Sequence, residues 1–175
     1  MLKRFWGHLQ TITLHKWRVM KLCFRVGLYK QGLLHDLSKY HPIEFVPGVR
    51  YFQGNRSPID KEKEVKGYSM GWLHHKGHNP HHWEYWLDVT KEGGIKGMPM
   101  PKKYIAEMFC DRVAASMTYM KENYTDHSAL DYFENGRSHC IMHPQTEATL
   151  ESWLVFLSEN GLDKTVKLIK TELRA

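Results

Sequence analysis

The sequence predicts an all-α fold, a single-domain helical bundle. Three observations lead there. Apolar residues recur at helical spacing along most of the chain, no stretch alternates with period two, and recognisable helix starts and stops separate the periodic segments. At 175 residues the chain can bury a substantial core in one domain, here taken as residues 1–175. Its 42% hydrophobic and 25% charged residues fit a globular chain and argue against a disordered one.

The first helix is expected over residues 8–30, where Ile12, Val19, Leu22 and Val26 form one stripe with His15 among them. A short helix over 31–40 is expected to carry the adjacent pair His35-Asp36, and His41-Pro42 ends it. Residues 43–57 contain Pro47, Gly48 and Gly54 and read as a loop. Ser57-Pro58-Ile59-Asp60 then starts a helix, with Ser as N-cap and Pro at the first position. Continued to about residue 76, it would align Val65, Tyr68, Trp72 and His75 on one face. His74 would point about 100° away from that face.

Asn79-Pro80 offers another start, which would put His81, His82 and Glu84 in the first turns of a further helix. The Gly-rich stretch 92–99 reads as a connection, since it lacks the GK[ST] ending of a phosphate loop. A long helix is expected over 101–123, with Tyr104, Met108, Ala115 and Tyr119 facing inward and Asp111 between them. A carboxylate on an apolar face is costly unless paired or metal-bound. Two last helices, 144–159 and 161–174, carry Leu150, Trp153, Leu154 and Leu157, then Leu162, Val166, Ile169 and Leu173. Gly161 separates them, and their expected role is to close the bundle.

The chemistry concentrates in imidazoles and carboxylates. His15, His35-Asp36, a knot of histidines from His74 to His82, and Asp111 could converge if the inner faces of several helices meet. Such a set suits a divalent transition metal (Fe, Mn, Ni, Co or Zn), as one ion or two, better than Ca. Cys23, Cys110 and Cys140 form no CxxC pair, which fits a reducing cytoplasm. His139 and His143 flank Cys140, but a structural zinc site would need more cysteines. The N-terminus starts basic yet lacks the apolar run of a signal peptide, and no membrane span is legible. The net charge of +6 favours anionic partners, a phosphate-containing small molecule or nucleic acid.

The order His15 … His35-Asp36 … His75 … His81-His82 … Asp111 resembles the HD superfamily of metal-dependent phosphohydrolases. So do the flanks Leu33-Leu34-His35-Asp36-Leu37-Ser38-Lys39 and Cys110-Asp111-Arg112-Val113. The resemblance covers about residues 8 to 120, and the histidine run is similar to that of a His-rich bacterial branch. It implies that His15, His35, Asp36 and Asp111 hold one ion. It also implies that Asp36 bridges to a second, for which His75 and His82 are the best candidates. His78 and His81 could orient a ligand, contact a phosphate or stay solvated. Lys39 and Arg18 could meet a phosphate, and Glu84 could accept from a ligand histidine or act as general base.

Three functions remain open on the sequence. The first is a hydrolase of nucleotides or other small phosphate esters. The second is a diiron oxygenase, which the resemblance also admits because some HD-like proteins use this ligand set to activate oxygen. The third is a non-catalytic helical module for nucleic acid. It rests only on a pI of about 9.2 and scattered Lys and Arg, without a helix-turn-helix or zinc-finger pattern.

Overall fold

A computed structural model describes residues 1–175, and it is built of nine helices and one two-stranded sheet. Helix α1 spans Leu2–Val26 and buries His8, Ile12, His15, Val19, Leu22, Cys23 and Val26 along one face. Gly27 ends it at φ 90°, the left-handed cap that glycine adopts without a Cβ clash. Helix α2, Tyr29–Leu34, packs back against α1. After a 3-10 turn over Leu37–Tyr40 come α3 (Pro42–Arg50), α4 (Pro58–Lys66) and α5 (Met70–His78). Strands β1 (Leu87–Val89) and β2 (Ile95–Gly97) form an antiparallel hairpin. Helix α6 (Lys102–Met120) crosses the molecule beside α1, and α7 (Ser128–Gly136), α8 (Pro144–Asn160) and α9 (Leu162–Glu172) complete the bundle.

One apolar core of 23 buried residues holds these helices together. It is drawn from α1 and Leu28 on one side and from Met100 to Ile169 on the other, with Phe109 and Trp153 at its centre. No buried hydrophobic residue lies between Leu28 and Met100. The buried residues of that middle segment are glycines and the polar residues His35, Asp36, Glu44, Glu62, Ser69, His75, Asn79 and His81. Trp83 and Trp86 are its partly buried contacts with the core. No helix is long and apolar enough to cross a membrane.

The all-α architecture agrees with the sequence reading, and several element boundaries differ. Residues 43–57 do not form only a loop, because α3 occupies Pro42–Arg50. Pro47 sits inside α3, where its fixed φ is helical and only one backbone bond is lost. The helix expected from Ser57 to residue 76 breaks at Gly67, φ 79°, so Val65 and Tyr68 are exposed and do not share the face of His75. Asn79-Pro80 opens no α-helix, and only a 3-10 turn over Trp83–Trp86 follows. The Gly-rich stretch supplies the hairpin turn through Gly93 and Gly94, both at positive φ. The helix α7 was not anticipated.

Candidate metal centre

Local backbone brings His35 and Asp36 together. Helix α2 stops at Leu34, so the pair lies in the kink before the 3-10 turn and not in a helix over 31–40. Asp36 adopts φ 53°, ψ 26°, a left-handed conformation that Asp tolerates better than most residues. That kink removes the divergence of about 100° that neighbouring helical residues would have. The Lys16 ammonium donates to the carbonyls of Leu33 and His35, 2.7 Å each, and fixes the kink against α1.

Around Asp36 the imidazoles divide into two groups. Oδ2 lies 3.3 Å from His35 Nε2 and 3.8 Å from His15 Nε2. Asp111 joins this group, its Oδ1 2.9 Å from His15 Nε2 and 3.6 Å from His35 Nε2. Oδ1 of Asp36 lies 3.4 Å from both His75 Nε2 and His81 Nε2. His82 Nε2 stands 2.9 Å from His75 Nε2. Candidate ligand atoms therefore converge in two sets, His15/His35/Asp36/Asp111 and Asp36/His75/His81/His82, which share Asp36. All six residues expected as ligands fall in these sets, and His81 joins them.

Two carboxylates orient the rings from behind. Glu107 Oε1 is 2.9 Å from His35 Nδ1 and 3.2 Å from His81 Nδ1. Glu44 Oε2 is 2.8 Å from His75 Nδ1, while its Oε1 is 2.6 Å from His74 Nδ1. A proton held on Nδ1 by a carboxylate leaves Nε2 with a free lone pair, the tautomer a metal requires. The sequence reading missed both acids. Glu107 lies one helical turn before Asp111 on α6, a spacing that could have revealed it, whereas Glu44 was hidden in the supposed loop.

The polar atoms left over are the test of fit for a metal. His15 Nε2, His35 Nε2, His81 Nε2 and Asp36 Oδ1 are buried and make no hydrogen bond, whereas Asp36 Oδ2 is paired with the Lys39 ammonium. Four unsatisfied buried atoms facing one another would be costly in a bare protein, and they are what one or two ions would satisfy.

The buried carboxylates and cations of the site balance one another. Against its burial, the His35 pKa is raised well above the ordinary imidazole value by Asp36, Asp111 and Glu107. Burial alone would raise the pKa of Asp36, but His35, Lys39 and His75 hold it well below the usual carboxylate range. Asp111 is likewise held well below that range against its burial, by His15 and His35. Burial and the neighbouring charges of His81 and His75 push His82 well below the ordinary imidazole value, toward the neutral ligand form. Lys39 Nζ sits 2.5 Å from Asp36 Oδ2, and Asp36 and Asp111 keep it charged despite burial. Lys39 and Asp111 retain 25% and 17% side-chain exposure, against 2% or less for Asp36, His35, His75 and His81, so they mark the open side.

The remaining expected residues stand apart. Glu84 makes no hydrogen bond or ion pair with a candidate ligand histidine, and burial raises its carboxyl pKa. The acceptor role expected of it falls to Glu44 and Glu107. Arg18 bonds Thr118 Oγ1 at 2.8 Å. His143 caps α8 through Nδ1, and neither it nor His139 belongs to a ligand group.

A family model described as a family of unknown function, DUF5662, matches residues 4–155. No curated protein and no solved structure matches the chain.

Proposed function

Since the chain belongs to the DUF5662 family, whose function is unknown, we propose from its site that it is a metal-dependent phosphohydrolase acting on a nucleotide or another small phosphate ester. The observation that carries this reading is Asp36, a buried carboxylate whose two oxygens face two different imidazole sets. His15, His35, Asp36 and Asp111 would hold one ion, and Asp36, His75, His81 and His82 a second. When bound, such ions supply Lewis acidity toward a phosphoryl oxygen and make a water acidic enough to attack near neutral pH.

The residues of the chain supply the rest. Glu107 and Glu44 keep the protons of His35, His81 and His75 on Nδ1. The Lys39 ammonium, on the open side, offers positive charge to the phosphate. The surplus of basic residues, net +6, attracts an anionic substrate. The HD resemblance of the Leu33–Lys39 segment supports the same reaction class.

The imidazole-rich second set supports an oxygenase as the alternative, since imidazole ligands also suit iron. Metal analysis of protein purified without chelator, with assays for phosphate release from nucleotides and for oxygen uptake, decides between them. Bound Mn, Ni or Co with phosphate release is the expected result. Two irons with oxygen uptake would transfer the assignment to the oxygenase, and a protein that binds no transition metal would sink both.

A further inference from the structure

The charge of the chain is unevenly placed. The first 59 residues hold ten Lys and Arg against two acids, Asp36 and Glu44, whereas the rest of the chain has more acids than Lys and Arg. Both of those acids are buried, Asp36 in the inner centre and Glu44 behind His75. The outer surface of α1, α2 and α3 therefore displays no acid of its own. Of the ten basic residues, only Arg25, Lys39 and Arg56 have a carboxylate partner. Lys3, Arg4, Lys21, Lys30 and Arg50 are exposed and unpaired.

Large apolar side chains share this surface. On α1, Trp6, Thr13 and Trp17 follow one another at seven and four residues, which sets them within about 40° and roughly opposite the buried stripe of His8, Ile12, His15 and Val19. Trp6, Trp17, Leu33 and Leu37 are each about half exposed or more. Direct contacts join α1 to its neighbours. Thr13 Oγ1 lies 3.1 Å from the Tyr40 hydroxyl, and the rings of Phe24 and Tyr29 are 5.3 Å apart. Near the start of α1, Phe5 packs on both Trp6 and Phe45, which carries the patch to the exposed Ile43 and Val46 of α3. The Lys21 ammonium sits 3.5 Å from the centroid of the Trp17 ring, so charge and apolar surface interleave. Single exposed apolar residues need no explanation, but a connected set on one side marks an interaction surface.

Three occupants differ in what they would match. A second copy docked on this face about a twofold axis would set lysines against lysines, with no surface acid to relieve them. Nucleic acid would match the charge, but phosphates and flat bases leave the aliphatic Leu33, Leu37, Ile43 and Val46 uncovered. An anionic lipid surface matches both, because basic side chains meet the headgroups while Trp, Tyr and Leu enter the interface. We infer that the α1–α3 face is a docking surface for an anionic phospholipid bilayer, on which the protein lies without a helix that crosses it.

Vesicle co-sedimentation tests this with wild-type protein, Leu33→Ser/Val46→Ser and Lys21→Glu/Lys30→Glu. The four substituted residues are exposed and stand outside the inner centre, so the metal content of the variants should match wild type. Wild type should sediment with phosphatidylcholine–phosphatidylserine vesicles and not with phosphatidylcholine alone. Each variant should lose about tenfold or more in its partition onto the anionic vesicles. Equal sedimentation of wild type with both vesicle types, or an aliphatic variant that binds as well as wild type, would overturn the proposal. So would a wild type that binds a labelled oligonucleotide in fluorescence anisotropy but no vesicles, which gives the face to nucleic acid. A dimer in the ultracentrifuge that Leu33→Ser/Val46→Ser abolishes, again without vesicle binding, would give it to a second copy. If the aliphatic variant does not fold, wild type is mixed with anionic vesicles that contain brominated phosphatidylcholine. The bromines should quench the exposed Trp6 and Trp17, and unquenched emission would refute the docking surface.

Discussion

At the scale of single residues, Asp36 carries the most. It is a left-handed, buried carboxylate with an oxygen for each imidazole set. Asp36→Asn separates charge from conformation, because Asn tolerates the left-handed region almost as well as Asp. The variant should fold, with an unchanged far-ultraviolet circular dichroism spectrum, and should lose the inner metal by elemental analysis. Full metal retention would refute the centre as drawn. Glu107 acts one step further out. Glu107→Ala frees the Nδ1 atoms of His35 and His81 and should weaken metal affinity by about 10–100-fold in a calorimetric titration. An unchanged affinity would reduce Glu107 to packing. The convergence of His15, His35, Asp36, His75, His82 and Asp111 was legible in the sequence because candidate ligands announce themselves by residue type and order. The sequence did not reveal Glu44 and Glu107, because an acid that orients a ligand has no residue type of its own and is recognised by what it touches.

At the scale of elements, legibility followed the apolar stripes. Helices α1, α6, α8 and α9 lie on the core, and their 3.6-residue pattern placed them to within a few residues, apart from the start of α1. Helices α3, α4 and α5 bury no hydrophobic residue, so α3 was read as loop and α4 and α5 were merged, although Ser57-Pro58 marked the start of α4 correctly. Contacts of another kind hold α3 to α1. His8 packs against Phe45 and Phe52, and a Cβ on Gly48 would come within 2.3 Å of its Nε2. Burial, aided by the Lys39 charge, lowers the His8 pKa to about 4. Above the unfolded value of about 6.5 the ring is neutral in both states and costs nothing. As the pH falls below that value, the unfolded chain takes up the proton first. Stability is lost down to about pH 4 and the loss then levels off, at about 2 kcal/mol after allowance for solvent screening. His8→Phe should flatten that limb of a denaturation-versus-pH profile, and parallel profiles for the two proteins would show that His8 does not titrate this way.

At the scale of the whole molecule, the single all-α bundle was legible because one continuous apolar core organises both ends of the chain. The stretch from residue 29 to 99 is different. It carries five of the seven candidate ligands and one of the two orienting acids, Glu44, and no buried hydrophobic side chain of its own. Its cohesion comes from polar contacts around the centre, from the partial burial of Trp83 and Trp86, and from the packing of Phe45 and Phe52 on His8. This division predicts two cooperative units of unequal stability. In amide hydrogen exchange, chelator treatment should accelerate exchange throughout 29–99 while α1, α6, α8 and α9 stay protected. Acceleration spread evenly over the chain would show one unit instead of two. On this division the C-terminal helices would act as a permanent frame, and the middle of the chain would owe its order to whatever ions the centre holds.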